Sequence, residues 1–246
     1  MTSAETLLWT VLPYVCFAIM ISGIVWRYRY DKFGWTTRSS QMYESKVMRI
    51  ASPLFHYGII AVFLGHLLGL LVPKSFTEGL GIDEHTYHAL TLPLSLIAGA
   101  AALTGLIMLI VRRRRSALVF QRTTDNDKTM YLFLGAAIVL GVIASWRASG
   151  LVGEGHDYRE DVSVWFRSIL VLDPQPEMMA TSPIVFDLHV IAGLLVFAAW
   201  PFTRLVHALS VPLQYVARPY VVYRTRDRHP TGSRAPRRGW EPSRRD

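Results

Sequence analysis

The chain contains a single cysteine, Cys16. One thiol excludes an internal disulfide, a cysteine-ligated iron–sulfur cluster, a Cys-x-x-Cys-His haem attachment and a zinc knuckle. Any metal chemistry therefore falls to histidine. Nucleotide and flavin fingerprints are missing as well, so a redox role would have to pass electrons to another subunit. There are no internal repeats, and no inverted pair of interrupted apolar segments of the kind that builds secondary transporters. The first apolar run opens on Glu5, has no basic stretch before it and no small-residue cleavage site, and is followed by Arg27, Arg29 and Lys32. This predicts an uncleaved anchor and not a signal peptide.

What the sequence has in abundance is apolar length. Of its 246 residues 51% are hydrophobic, gathered in five runs at roughly 6–26, 50–72, 88–111, 130–148 and 184–208. Each is of a length that crosses a bilayer as a helix. The predicted fold is an all-α integral membrane bundle of five transmembrane helices. The formal charge of +8 is carried between and after these runs, which points to membrane topology and away from nucleic acid. Segments 27–48, 112–128 and 204–246 carry five, six and ten Lys or Arg, whereas 73–87 carries Lys74 alone and 151–182 only Arg159 and Arg167. The bias predicts the N-terminus outside and the C-terminus in the cytoplasm. VSVWFRSILVL at 162–172 is too short to span and is expected at the outer interface as an amphipathic segment. Residues 1–223 form the transmembrane domain in this reading. The remainder, 224–246, is Arg-, Pro- and Gly-rich and reads as a basic flexible cytoplasmic tail or a docking segment.

Ionisable groups inside a membrane helix cost a few kcal/mol each, so two in one helix point to a use for both. Span two carries His56 and His66; span five carries His189 and His207. The spans run in opposite directions, so His66 faces His189 near the outer face and His56 faces His207 near the inner one. A pair of neutral imidazoles from facing helices is what a six-coordinate, non-covalent b-type haem requires, and two pairs predict two such haems. An isolated His pair supplies too few ligands for zinc. His189 and His207 are 18 residues apart, five helical turns and about 27 Å, on one face of a continuous helix. His56 and His66 are separated by about 15 Å and about 80°. Tilt, side-chain reach and a bend at Pro201 absorb the difference in level. Gly65, beside His66, together with Gly58 and Gly193, would let a flat macrocycle approach the backbone. Each glycine taken singly also fits ordinary helix packing, as in the Gly65–Gly69 pair. A single histidine would fit a hydrogen-bonded bundle residue equally well; four in two depth-matched pairs favour haem.

Two haems across a bilayer make an electron path, whose natural donor is a quinol and whose acceptor is another subunit. The chain also resembles the gamma (cytochrome b) subunit of membrane-bound respiratory nitrate reductase, over nearly its whole length to about residue 226. The resemblance is carried by RYRYDKFGWTTRSSQM at 27–42, LFHYGIIAVFLGHLLGLLVP at 54–73 and DLHVIAGLLVFAAWPFTRLVHALSVPLQYVARPY at 187–220. It implies that the four matched histidines ligate two b haems, His66 and His189 the distal one and His56 and His207 the proximal one. It further implies oxidation of quinol near the outer haem and transfer to an iron–sulfur beta subunit. From there electrons would reach a molybdenum-containing alpha subunit that reduces nitrate to nitrite. The implied location is the bacterial cytoplasmic membrane.

One departure stands out. In that family a lysine shortly before span three is implicated in quinol binding, whereas GIDEHTYHAL here has none. His85 or His88 is expected to supply the hydrogen-bond donor and proton acceptor, with menaquinol an alternative to ubiquinol as donor. Arg204, one turn before His207, and Arg112, at the inner end of span three, are expected to pair with haem propionates; the rest of the Arg112–Arg115 run reads as snorkelling to lipid phosphates. The 27–46 loop with Tyr28, Tyr30 and Trp35, and the 211–226 segment, are the expected contacts with the beta subunit. Two other functional classes fit the residues. One is a diheme quinone-linked cytochrome of another complex, of the formate dehydrogenase, hydrogenase or sulfur-metabolism type. The other is a haem-free transporter or assembly protein.

Overall fold

The computed structural model describes residues 3–31, 34, 39–151 and 155–209. The chain divides into two compact units, Met1–Ser210 and Val211–Asp246. The second lies outside the described residues, and with it the expected docking segment and tail; Trp35 lies outside them too.

Among the described residues there is helix and no strand. Five helical stretches are long and apolar enough to cross a membrane: α1 (Ser3–Tyr30), α2 (Met48–Leu71), α3 (Glu84–Arg115), α4 (Asp125–Ala148) and a fifth, Ile184–Phe202. A short helix, α5 (Val162–Leu170), precedes the regular part of the fifth span, α6 (Ile184–Ala199). Local chemistry sets the ends. The Asp83 carboxylate caps α3 by accepting from the Thr86 amide, and Thr124 with Asp127 forms a reciprocal capping box at the start of α4. Arg112 to Arg115 occupy the last turn of α3, where the helix dipole favours cations.

α2 packs on α3, α3 on α4, α4 on α6 and α6 on α1. The α2–α3 contact is close because glycines face backbone there. A Cβ on Gly58 would lie 2.5 Å from the Ala102 amide nitrogen, and one on Gly105 2.5 Å from that of Phe55, so a methyl at either site would push the helices apart. Ala102, Leu106, Leu134 and Ile138 fill one half of the bundle. Trp9, Ala144, Trp165, Ile169, Met179 and Phe186 fill the other. Leu94, Ile97 and Leu132 stand largely exposed on the outside, the apolar surface that a lipid-facing helix presents.

The fifth span, expected as a helix over 184–208 with a bend at Pro201, is broken there. α6 stops at Ala199, and 3₁₀ turns follow over Trp200–Phe202 and Arg204–Leu209 with Thr203 extended between them. Pro201 has no amide hydrogen, and its ring clashes with a continuing α-helix. The carbonyls this frees are taken up by buried Arg27, whose Nη1 donates to Pro201 O at 2.5 Å and Thr203 O at 3.3 Å. The five-turn relation between His189 and His207 therefore does not hold.

The 162–172 segment is also more deeply engaged than an interfacial helix. Trp165 and Ile169 are buried, the Trp165 indole donates to Trp9 O at 2.8 Å, and Arg167 Nη1 donates to Leu70 O at 3.0 Å. Both acceptors lie in π-helical turns, Leu7–Val11 and Leu67–Leu71, where the widened backbone leaves carbonyls for side chains to satisfy. Leu170 and Val171, just beyond the docked face, stay exposed.

Candidate functional site

The four histidines meet in the two pairs expected from topology. The His66 and His189 rings have centroids 5.8 Å apart, with their Nε2 atoms 3.5 Å apart. The His56 and His207 rings have centroids 5.9 Å apart. That α2 meets the fifth span at both ends in this order makes the two antiparallel, as predicted. The second pairing survives the break at Pro201 because the 3₁₀ turn Arg204–Leu209 returns His207 to the bundle.

Each imidazole is held through the same ring atom. His56 Nδ1 lies 2.7 Å from Ser52 O and His66 Nδ1 2.8 Å from Val62 O, each one helical turn earlier. His189 Nδ1 reaches Ala137 O of α4 at 3.0 Å, and His207 Nδ1 reaches Arg204 O at 2.5 Å. A carbonyl only accepts, so each Nδ1 carries the proton and donates it, and each Nε2 keeps a lone pair for a metal. At 3.5 Å apart, the Nε2 atoms of His66 and His189 are close enough that both could hold one metal ion. Open space flanks Gly65 and Gly193, where an added Cβ would meet nothing within 4 Å. Gly141 is the opposite case: its Cβ would lie 2.8 Å from His189 Cε1, so the bare backbone seats that ring. Gly58, expected beside a macrocycle, instead packs against the α3 backbone; the donor set, the tautomers and the open faces at Gly65 and Gly193 suit a bis-histidine haem.

A model of the nitrate reductase gamma subunit family matches residues 5–226. The chain belongs to that family. It is 54% identical over 234 residues to the nitrate reductase-like protein NarX of Mycobacterium tuberculosis, an alignment covering 95% of this chain and 36% of that protein. The chain thus spans 36% of the length of that relative. It is 40% identical over 220 residues to the nitrate reductase gamma chain of Bacillus subtilis, covering 89% and 98% of the two chains. With the respiratory nitrate reductase 2 gamma chain of Escherichia coli, identity is 32% over 217 residues, covering 88% and 95%.

The other expected residues of this gamma-family chain fall as follows. Arg204 makes a two-pronged ion pair with Asp127, both contacts 2.6 Å. Its own carbonyl holds His207, so Asp127, Arg204 and His207 form one chain of contacts. Arg112 is buried and engages Glu44 Oε2 at 2.6 Å and both oxygens of Ser40 at 2.8 Å. In the first turns of α3 the two histidines separate: His85 is exposed, while His88 lies beside Asp157 (Nε2 to Oδ1 3.3 Å) and Glu84 (3.9 Å). Sequence reasoning missed Asp127, Glu44, Gly141 and Asp157. Asp127 had a local signal in the Thr-x-x-Asp capping pattern; the others depend on which distant segments meet.

Proposed function

We propose that the chain is the membrane-anchoring diheme cytochrome b subunit of a respiratory nitrate reductase. In this reading it carries electrons from quinol to partner subunits that reduce nitrate. The observation that carries this is the pair of facing histidine sites with all four Nδ1–H groups committed to backbone carbonyls, in a chain of the gamma family. His66 and His189 hold one b haem and His56 and His207 the other; when bound, the haems supply one-electron carriers between the two membrane faces. With the lysine- and arginine-rich side taken as cytoplasmic, the His66/His189 site lies outside and the His56/His207 site at the cytoplasm in this reading. Electrons then move inward, to an iron–sulfur beta subunit and a molybdenum-containing alpha subunit, while protons from quinol or menaquinol leave outward.

The chain's own residues fix ligand geometry. The Ser52 and Val62 carbonyls orient the α2 histidines, Ala137 and Gly141 of α4 seat His189, and the Asp127–Arg204 pair positions His207. Arg112 and Arg204 already hold protein carboxylates, so any propionate would share those guanidinium groups with Glu44 and Asp127. His88, turned inward at the outer end, is the quinol-side residue; exposed His85 stands at the rim of that region.

The test uses the bacterial membrane complex with its partner subunits. His66→Ala is expected to abolish quinol-driven nitrate reduction while a reduced viologen, feeding the cytoplasmic subunits directly, still drives it. Full quinol-driven turnover in that variant contradicts the reading.

A further inference from the structure

We propose that His88 and Asp157 form an acid–base dyad that takes the hydroxyl protons of the quinol and passes them to the outer surface along a ladder of carboxylates. The inference rests on the quinol reading above. His88 is on α3 and Asp157 lies 69 positions further on, in the segment before α5, so nothing local brings them together. Asp157 Oδ1 takes the Nε2 hydrogen of His88 at 3.3 Å, which leaves the lone pair on Nδ1. That Nδ1 is buried and makes no hydrogen bond. An imidazole whose tautomer is fixed by a carboxylate, with its free nitrogen facing inward, is arranged as a general base. The Tyr158 ring lies 6.3 Å from His88, and its hydroxyl covers Gly69, 2.6 Å from where a Cβ would stand. Gly69 is one turn beyond His66.

The charged groups around His88 grade from buried to exposed. Asp157 is 12% exposed, Glu84 43% and Glu160 66%. Lys74 joins all three, with Nζ 2.5 Å from Glu84, 3.2 Å from Asp157 and 2.7 Å from Glu160. The Arg159 guanidinium stacks over Tyr87 at 3.9 Å, and its amide donates to Asp157 at 3.0 Å. Three carboxylates and these two cations leave one negative charge in excess, which a single imidazolium neutralises. Burial would push the Asp157 carboxyl up, but hydrogen bonds from His88, the Arg159 amide and Lys74 hold it below the usual carboxylate range. Asp157 therefore stays ionised and stabilises the imidazolium. Glu160 and Glu84 hold the Lys74 ammonium above its usual range, so Lys74 remains a fixed cation.

The step balances with ferric haem as the one-electron oxidant. The quinol O–H bond breaks and its proton goes to His88 Nδ1. One electron goes to the His66/His189 haem, and the imidazolium returns a proton outward from Nε2 past Glu84. Tautomer exchange then moves the remaining ring proton from Nδ1 back to Nε2, and a second round, after the haem has passed its electron inward, completes the quinone. The same Glu84, His88 and Asp157 atoms lie close enough to invite a divalent ion, but the Lys74 ammonium already supplies the cation there.

The test follows absorbance of the oxidised haems in the purified complex after mixing with a short-chain naphthoquinol between pH 5.5 and 9. Wild type is expected to accelerate as pH rises, as a base freed of its proton requires. His88→Gln is expected to slow reduction about 100-fold and to lose that limb. Asp157→Asn should slow it about tenfold and flatten the limb, with haem content and the dithionite-reduced spectrum unchanged in both. A wild-type profile without the limb overturns the dyad before any variant is made, and so do variants that keep the wild-type rate and profile. Wild-type haem that naphthoquinol does not reduce at any pH overturns the quinol reading itself.

Discussion

At the scale of single residues, this chain does its fine positioning with atoms next to the histidines. Asp127 acts on His207 at one remove: its ion pair holds Arg204, whose carbonyl orients the His207 ring, a haem ligand in the proposed reading. Asp127→Asn removes the carboxylate charge that faces the mostly buried Arg204 guanidinium, at a cost of about 3 kcal/mol. It is expected to broaden or remove the electron-spin-resonance signal of the inner haem and leave the outer one in place. Gly141→Ala should do the reverse, because its methyl occupies the space of His189 Cε1; resolved low-temperature α-band spectra separate the two outcomes. Asp157 also makes a pH prediction. Its folded carboxyl sits below the unfolded value of about 4. The stability it contributes is therefore complete above that value and is lost as pH falls through the folded one. The gap in thermal midpoint between wild type and Asp157→Asn is expected to be wide at pH 7 and to narrow progressively below about pH 4.

At the scale of elements, the apolar runs predicted the five spans to within a few residues at most ends, because lipid imposes one requirement on every turn. The same averaging hid what breaks a run. A hydrophobic count over 184–208 reads straight through Pro201, which was expected to bend the helix and in fact ends it. The π-helical turns at Leu7–Val11 and Leu67–Leu71 leave no mark in composition, and they are what α5 docks against. Arg27 read as a topology signal, yet it is buried and donates to the carbonyls of Pro201, Thr203 and Gly34. A guanidinium fork serves three acceptors in a way an ammonium on a flexible stem does not. Arg27→Lys is expected to lower stability by about 2 kcal/mol and to loosen the inner haem, seen as an altered midpoint potential in a redox titration. An unchanged potential would mean that the break at Pro201 holds its shape unaided.

At the scale of the whole molecule, the histidine pairing was legible in the sequence because it needs only two facts, the depth of each residue and the direction of each span. The tautomers, the seat at Gly141 and the Asp157 cluster were not, since they come from contacts between α4, α6 and the segment before α5. The architecture places one histidine pair toward each end of an apolar bundle. The Asp127–Arg204 ion pair stands beside His207, and the first turns of α3 carry the separate cluster of His88, Glu84, Asp157 and Lys74. The most direct test counts haem in the purified membrane complex by pyridine haemochrome, in wild type, His66→Ala and His207→Ala. Two protohaems per chain falling to one in each variant, with different midpoint potentials remaining, is the predicted result. One haem or none in the wild type, or two retained in either variant, would contradict the account.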